Sequence, residues 1–170
     1  MLRPARRPRA LALPAMARRG LTLTDPTTGQ TITFVQTAAD TGGALLALET
    51  RYGGKGGPPP MHRHPSQDEH FEVLDGELHV RLGRRRRTLT AGEVLDVPAG
   101  TPHAMHGTAR VRWEVRPALE TEAFLEAVCD PHAPSSARLA AAWRHRAEFR
   151  LTGPAGLLLA LVGRFAARRA

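Results

Sequence analysis

Apolar and polar residues alternate over most of the first two thirds of the chain. Successive side chains of a β-strand point to opposite faces, so a half-buried strand shows this period of two. Asp75-Gly76, between two alternating runs, is a hairpin turn signal. The pattern predicts about nine short strands, as in a β-sandwich or barrel. They are Thr31–Gln36, Val94–Val97 and residues 21–25, 43–52, 69–74, 77–82, 87–89, 103–106 and 111–115.

The period changes after Pro117. Residues 119–128 carry apolar side chains at helical spacing with acids between them, which predicts an amphipathic helix. Ser135 or Ser136 is suited to cap a second helix, and Pro154 to begin a third that ends near residue 165. The chain then divides into a tail, a β-domain and helices that pack on the barrel or on a partner, over residues 1–20, 21–117 and 118–170.

Candidate metal ligands occur in two stretches. In residues 56–76, prolines exclude a helix, and His62 and His64 lie two residues apart, so both side chains face the same way on an extended segment. Glu69 begins the next strand, and residues 92–107 supply His103. We predict that these four residues form one metal site inside a small barrel.

Three imidazoles and a carboxylate suit a divalent first-row transition metal, such as iron, manganese, zinc or nickel, better than calcium or magnesium. Four protein ligands on an octahedral ion leave two adjacent positions for water, dioxygen or substrate. Four further residues are predicted to line a pocket beside the site. Phe71 and Val73 share the face of the carboxylate, Met105 follows the last histidine by two residues, and Trp113 lies in a later strand. Each is also suited to plain core packing.

The two stretches resemble the motifs of the cupin superfamily over roughly residues 30–117. The first motif, a glycine, five residues, His-x-His, three or four residues, glutamate, six residues and a glycine, is matched by Gly56, His62, His64, Glu69 and Gly76. The second, a glycine, five residues, Pro-x-Gly, two residues, histidine, three residues and asparagine, is matched by Gly92, Pro98, Gly100 and His103. Gly107 stands where the family usually has asparagine. That asparagine is not a metal ligand, so the departure concerns a side-chain hydrogen bond near a strand end.

The resemblance implies an all-β fold, a single jelly-roll barrel, here with a C-terminal helical extension, and a homodimer. It also implies a metalloenzyme that acts on a small organic molecule. One form resembles the small cupin dioxygenases with iron(II), and another is a Lewis-acid isomerase or decarboxylase with manganese, zinc or nickel. By the same resemblance, Glu69 is the ligand most able to shift or take a proton during turnover, which makes it the candidate catalytic residue. The alternative is a module, such as a sensor, that binds a metal or small ligand without chemistry.

Composition adds little about partners. The formal net charge is +8, carried almost entirely by arginine, and Lys55 is the single lysine. Such a charge can indicate nucleic-acid binding, but no nucleic-acid-binding motif is present and the basic residues are not interleaved with aromatics, so we expect no nucleic-acid partner. Residues 84–87, all arginine, fit a solvated hairpin. Cys129 is the only cysteine and cannot form an internal disulfide; it fits a small apolar position on a helix.

The two ends of the chain bear on localisation. Residues 1–20 are rich in Arg, Pro and Ala without a period, which predicts a disordered tail. A signal peptide is disfavoured because the apolar stretch is short and broken by Pro14, and Met16 offers an alternative start. The apolar run near residues 157–165 is shorter than the roughly 20 residues that span a bilayer. Docking on the barrel or a partner is therefore favoured over a membrane anchor, and we expect a cytoplasmic protein.

Overall fold

The computed structural model describes residues 17–53, 59–154 and 156–160. The first four strands there are β1 (Thr22–Thr24), β2 (Thr31–Gln36), β3 (Leu46–Arg51) and β4 (His62–Arg63). The next four are β5 (Asp68–Leu82), β6 (Arg85–Thr90), β7 (Val94–Val97) and β8 (His103–Arg116). They are followed by α1 (Thr121–Cys129), α2 (Ser135–Arg144) and a ninth strand, β9 (Arg150–Leu151).

The ends agree in part with the predicted pattern. The helix predicted from Pro154 is present over residues 153–154 and 156–160, and the rest of its range lies outside the described residues. Most of the predicted tail, residues 1–16, also lies outside them; its last residues form a turn in which Gly20 donates its N–H to the Phe34 carbonyl at 2.8 Å. The predicted serine cap of α2 is wrong, because Pro134 is the capping residue and makes no side-chain hydrogen bond to the helix. No helix in the described part of the chain is long and apolar enough to cross a bilayer.

Two long strands, β5 and β8, form the centre of the sheet. They pair antiparallel from Asp68 opposite Arg116 to Leu82 opposite His103. The other edge of β5 carries β7 in its first half and β6 in its second half. β8 likewise carries β3 and then β4, and β2 and β1 continue beyond β3. The prediction of an all-β jelly-roll barrel with a C-terminal helical extension is confirmed.

The hairpin predicted at Asp75-Gly76 is wrong, because β5 runs through both residues. Leu74 is an extra residue: Val73 lies opposite Val111, and Asp75 lies opposite the very next residue of β8, Arg110. Such a bulge bends the strand and increases its twist. The extra residue also changes which positions face inward, from odd numbers to even ones. The buried residues are Glu69, Phe71 and Val73 before the bulge and Leu78 and Val80 after it.

Two glycines lie where β5 and β8 approach each other closely at this bend. Gly76 has φ +79°, and a Cβ there would overlap the carbonyl oxygen of Thr108. A Cβ at Gly107 would overlap the carbonyl oxygen of Glu77. No side chain fits either position unless the two strands move apart. This accounts for glycine at position 107, where the cupin motif usually has asparagine.

The helices share a core with the barrel. One cluster of buried side chains joins the sheet to the two helices, through Ile32, Phe34, Leu46, Leu48, Val115, Phe124, Leu125, Cys129 and Ala142. Burying a side chain of this size is worth about 1.5–3 kcal/mol, which is why α1 and α2 dock on the barrel. Cys129 is 4% exposed, as expected of a small apolar residue. Burial, with Asp25 nearby, raises the pKa of its thiol to about 12.

The pattern missed β9. This two-residue strand pairs with β4, so that Leu151 lies opposite His62 and Arg150 opposite Arg63. The next residue, Thr152, donates its N–H and its hydroxyl to the Met61 carbonyl at 2.9 and 3.0 Å. Two residues are too few to show a period, so β9 has no sequence signal. The chain thus returns, after its helices, to the segment that carries the first candidate ligands.

Candidate metal centre

Strand pairing brings three histidines together. His62 of β4 lies directly opposite His103 of β8, and the ring centroids are 4.4 Å apart. His64 follows β4, and its carbonyl accepts the N–H of Gly100 at 2.7 Å, which ties the first motif to the loop of the second. One ring nitrogen from each histidine lies within 4.8 Å of the other two. The spacing argument therefore placed these three side chains correctly on one side of the barrel.

Glu69 completes the group from β5. Its backbone is paired on both edges, with Val97 of β7 and Val115 of β8, and its side chain is buried. The Oε1 atom lies 3.3 Å from Nε2 of His64, and the Oε2 atom lies 3.1 Å from Nε2 of His103. The carboxylate thus contacts two of the three imidazoles.

Backbone carbonyls set the orientation of two rings. Nδ1 of His62 lies 3.1 Å from the carbonyl oxygen of Pro60, and Nδ1 of His103 lies 3.0 Å from that of Thr101. A carbonyl only accepts, so in the neutral ring Nδ1 carries the hydrogen and Nε2 keeps its lone pair. A backbone carbonyl in this position is a usual outer partner of a metal-binding histidine.

Several buried polar atoms at this place have no hydrogen-bond partner. They are both ring nitrogens of His64 and Oε2 of Glu69. Leaving a buried polar group unpaired costs about 1–3 kcal/mol, and most buried polar groups are paired. A cation between the imidazoles and the carboxylate would give Nε2 and Oε2 a partner. Three nitrogens and one oxygen are a donor set that a divalent transition metal accepts, so the residues present fit such an ion.

The protonation states agree with this fit. Burial, together with the neighbouring His103 and His64, lowers the pKa of His62 to about 3. Burial also lowers the pKa of His64. Burial acts to raise the pKa of the Glu69 carboxyl, but the histidines around it outweigh burial and lower that pKa. At neutral pH, His62 and His64 are therefore neutral and Glu69 is ionised, the forms in which these groups bind metals.

His103 differs from the other two histidines. Burial acts to lower its pKa, but the Glu69 carboxylate beside the ring outweighs burial and raises it. The carboxylate is itself held from the other side, because Trp113 donates its Nε1–H to Oε1 at 3.0 Å. Trp113, predicted as a pocket residue, thus also positions the carboxylate.

A cavity of about 490 Å³ opens beside these residues. Phe71, Met105 and Trp113 line it, and the rings of Phe71 and Trp113 stack with their centroids 5.9 Å apart. Val73, the fourth predicted pocket residue, does not border this cavity. It is 1% exposed and packs among the side chains that fill the barrel further along β5.

Three aromatic residues of the cavity wall escaped the sequence argument. Phe149 stacks on the ring of His62 at 4.7 Å and on that of Phe124 at 4.9 Å. It immediately precedes β9, and the pairing of β9 with β4 brings it to the site, so no local pattern marks it. Tyr52 also lines the cavity. Burial raises the pKa of its phenol and Glu69 raises it further, so the hydroxyl stays neutral.

A model of the cupin domain family matches residues 51–115, which contain all four candidate ligands. These residues of the chain therefore form a cupin domain. This cupin is 36% identical over 76 residues, 45% of its length, to a quercetin 2,3-dioxygenase of Bacillus subtilis (strain 168). It is 47% identical over 55 residues, 31% of its length, to the oxidoreductase macE of Penicillium terrestre. These matches span only 23% and 21% of the two relatives.

Solved cupin structures are similar to this one over part of the chain. An RmlC-like cupin from Shewanella frigidimarina NCIMB 400 has a TM-score of 0.49 and 23% identity, covering 58% of this chain and 86% of that one. The wall residues Phe124 and Phe149 lie outside the segment matched by the family model. In this cupin, part of the cavity wall therefore comes from the C-terminal extension.

Proposed function

We propose that this cupin binds a divalent transition metal through His62, His64, Glu69 and His103 and oxidises a small organic molecule in the manner of a dioxygenase. The observation that carries the proposal is the convergence of three imidazoles and one carboxylate beside a cavity lined mainly by apolar side chains. When bound, the metal would act as a Lewis acid and bring the substrate and dioxygen together. Iron(II) is the ion that suits this chemistry, with manganese, zinc and nickel as the other candidates.

Glu69 is the group that we propose to accept a proton from an enol or phenol hydroxyl of the substrate. Its Oε1 receives the Trp113 hydrogen bond, which fixes the plane of the carboxylate, and its Oε2 lies 3.1 Å from Nε2 of His103. The aromatic and aliphatic side chains of the wall would hold the body of the substrate and keep water out. The protein thereby orients the reacting hydroxyl toward one oxygen of a fixed carboxylate.

The relatives support oxidation over isomerisation or decarboxylation. One is by name a quercetin 2,3-dioxygenase and the other by name an oxidoreductase. Because the matches cover about a fifth to a quarter of those proteins, the substrate of this chain is proposed only as a class: a small molecule that carries an enol, a catechol or a flavonol group.

Metal analysis followed by oxygen-uptake measurements tests the proposal. Protein purified and loaded with iron(II) under reducing conditions is expected to consume oxygen in the presence of a catechol or a flavonol. Glu69→Gln, which removes the carboxylate but keeps its size, is compared with wild type at equal iron content, because Glu69 is also a proposed ligand. Its rate per bound iron should be lower by about 10²–10⁴-fold, the usual contribution of general acid–base catalysis. A metal-loaded protein that consumes no oxygen with any of these substrates would instead support a binding or sensor module without chemistry.

Phe149→Ala is expected to change which molecules fit without removing the metal. The substitution deletes a ring from the cavity wall, but His62 keeps its Pro60 hydrogen bond and its strand pairing. Because wall contacts are lost, KM for a single-ring catechol should rise about tenfold, the effect of roughly 1.4 kcal/mol, and less for a larger flavonol. Phe149→Leu, which refills much of the space, is the matched control. A loss of metal in Phe149→Ala would mean that the ring holds His62 rather than the substrate.

A further inference from the structure

A second groove, of about 480 Å³, lies on the outer face of the barrel. Three neighbouring strands line it with outward side chains: Thr88 and Arg86 of β6, His79 and Arg81 of β5, and His106 of β8. The odd-numbered positions of β5 point outward here because the bulge has already reversed the inward face. None of these five residues belongs to the metal centre.

The strand register arranges these side chains in two rows. Thr88, His79 and His106 form one row, with the two imidazole centroids 5.2 Å apart and Nδ1 of His79 at 3.0 Å from the hydroxyl of Thr88. Arg86 and Arg81 form the next row. Side chains directly opposite each other on antiparallel strands have Cβ atoms about 4.5–5.5 Å apart, so all five hydrogen-bonding groups border one small area.

The two arginines oppose each other without a counter-charge. Like charges directly opposite on antiparallel strands are destabilising. No acidic side chain lines the groove, and in the described part of the chain neither Arg81 nor Arg86 forms an ion pair. Glu77 lies one row further along β5, and Glu93 lies 3.9 Å from Arg87, a further arginine of the groove lining.

We propose that this groove binds the phosphate group of a small molecule. A guanidinium presents parallel N–H donors that match phosphate oxygens in pairs, and two of them face the same space here. The bonded pair of Thr88 and His79 supplies one further donor, and the imidazole of His106 supplies another. A phosphate has enough oxygens to use donors from both rows, whereas a carboxylate has only two. A bound phosphate would also neutralise the repulsion between Arg81 and Arg86.

Isothermal titration calorimetry in chloride buffer, with inorganic phosphate and with glycerol phosphate, measures the affinity of the groove for each. The double variant Arg81→Gln with Arg86→Gln should bind at least about tenfold more weakly than wild type, because charge-assisted hydrogen bonds are lost. The matched control, Arg84→Gln with Arg85→Gln, removes the same charge from the same hairpin but no groove-lining residue. It should bind like wild type. Tighter binding of the ester than of free phosphate identifies a phosphorylated small molecule, and the reverse identifies the free ion.

Thermal unfolding gives an independent test. Without phosphate, the Arg81/Arg86 double variant should have a Tm equal to or above that of wild type, since a like-charge contact is removed. Phosphate should raise the Tm of wild type and of the Arg84/Arg85 control, but not that of the groove variant. Equal effects of the two double variants on binding, or phosphate-independent heparin or RNA binding alone, would overturn the proposal. Phosphate binding lost in His103→Ala would place the anion at the metal centre and would also overturn it.

Discussion

Replacing His62 or His103 with alanine is expected to remove most of the bound metal. Each substitution deletes one of three converging imidazoles, and the Nδ1 hydrogen bonds show that both rings are held with Nε2 toward the others. Metal content, measured by mass spectrometry after dialysis under reducing conditions, should fall from about one ion per chain to near zero. His79→Ala, an exposed histidine on the outer face, should keep the wild-type content.

The Tm of the same proteins, with and without added metal, distinguishes a variant that has lost the metal site from one that has lost its fold. A metal that binds only the folded state raises Tm, by mass action. Added metal should therefore raise the Tm of wild type and of His79→Ala but not that of His62→Ala or His103→Ala. The circular dichroism spectra of wild type and the three variants should be the same, which would show that all four proteins are folded. If all three variants hold full metal, or if wild type binds none under reducing conditions, the ligand assignment is wrong.

Gly76→Ala is expected to destabilise the barrel by about 2–5 kcal/mol. Two causes combine: a positive φ costs a residue with a side chain about 1–2 kcal/mol, and the new Cβ overlaps the Thr108 carbonyl, which forces β5 and β8 apart at about 1–3 kcal/mol. The free energy of unfolding of a small domain is only about 5–15 kcal/mol, so the variant would be close to unfolding at 37 °C. Urea unfolding followed by circular dichroism measures the change in the free energy of unfolding.

Gly83→Ala is the matched control for this substitution. Gly83 also has a positive φ, +57°, but a Cβ there would meet nothing within 4 Å. Gly83→Ala should lower the free energy of unfolding only by the cost of the positive φ, about 1–2 kcal/mol. Equal losses in the two variants would show that backbone conformation alone, and not the close approach of β5 and β8, requires glycine at position 76.

The local patterns of the sequence predicted which candidate ligands lie close together. His62 and His64 share a face because side chains two residues apart on an extended chain always do. The prolines excluded a helix there, and the repeated motif spacing selected Glu69 and His103. β2 and β7 were predicted to the residue, as Thr31–Gln36 and Val94–Val97.

The central strands were misread for a physical reason. Asp75-Gly76 satisfies the backbone requirement of a tight turn, and a glycine at positive φ satisfies that of a bulge equally well. Only the pairing partner distinguishes the two, and here β8 continues alongside β5 through the glycine. The sequence predicted one short strand on each side of such a point, whereas the structure has a single strand of 15 residues for β5 and a single strand of 14 for β8.

By itself, then, the sequence determined a β-barrel with a cluster of candidate metal ligands and a helical extension, because these depend on spacing within short segments. The tertiary structure alone decided three features: the bulged centre, the return of β9 with Phe149 over His62, and the opposed arginines of the outer groove. Each depends on which residues of distant strands lie opposite one another. Register is a property of the paired chain, since it is set by the hydrogen bonds and packing of both partners at once.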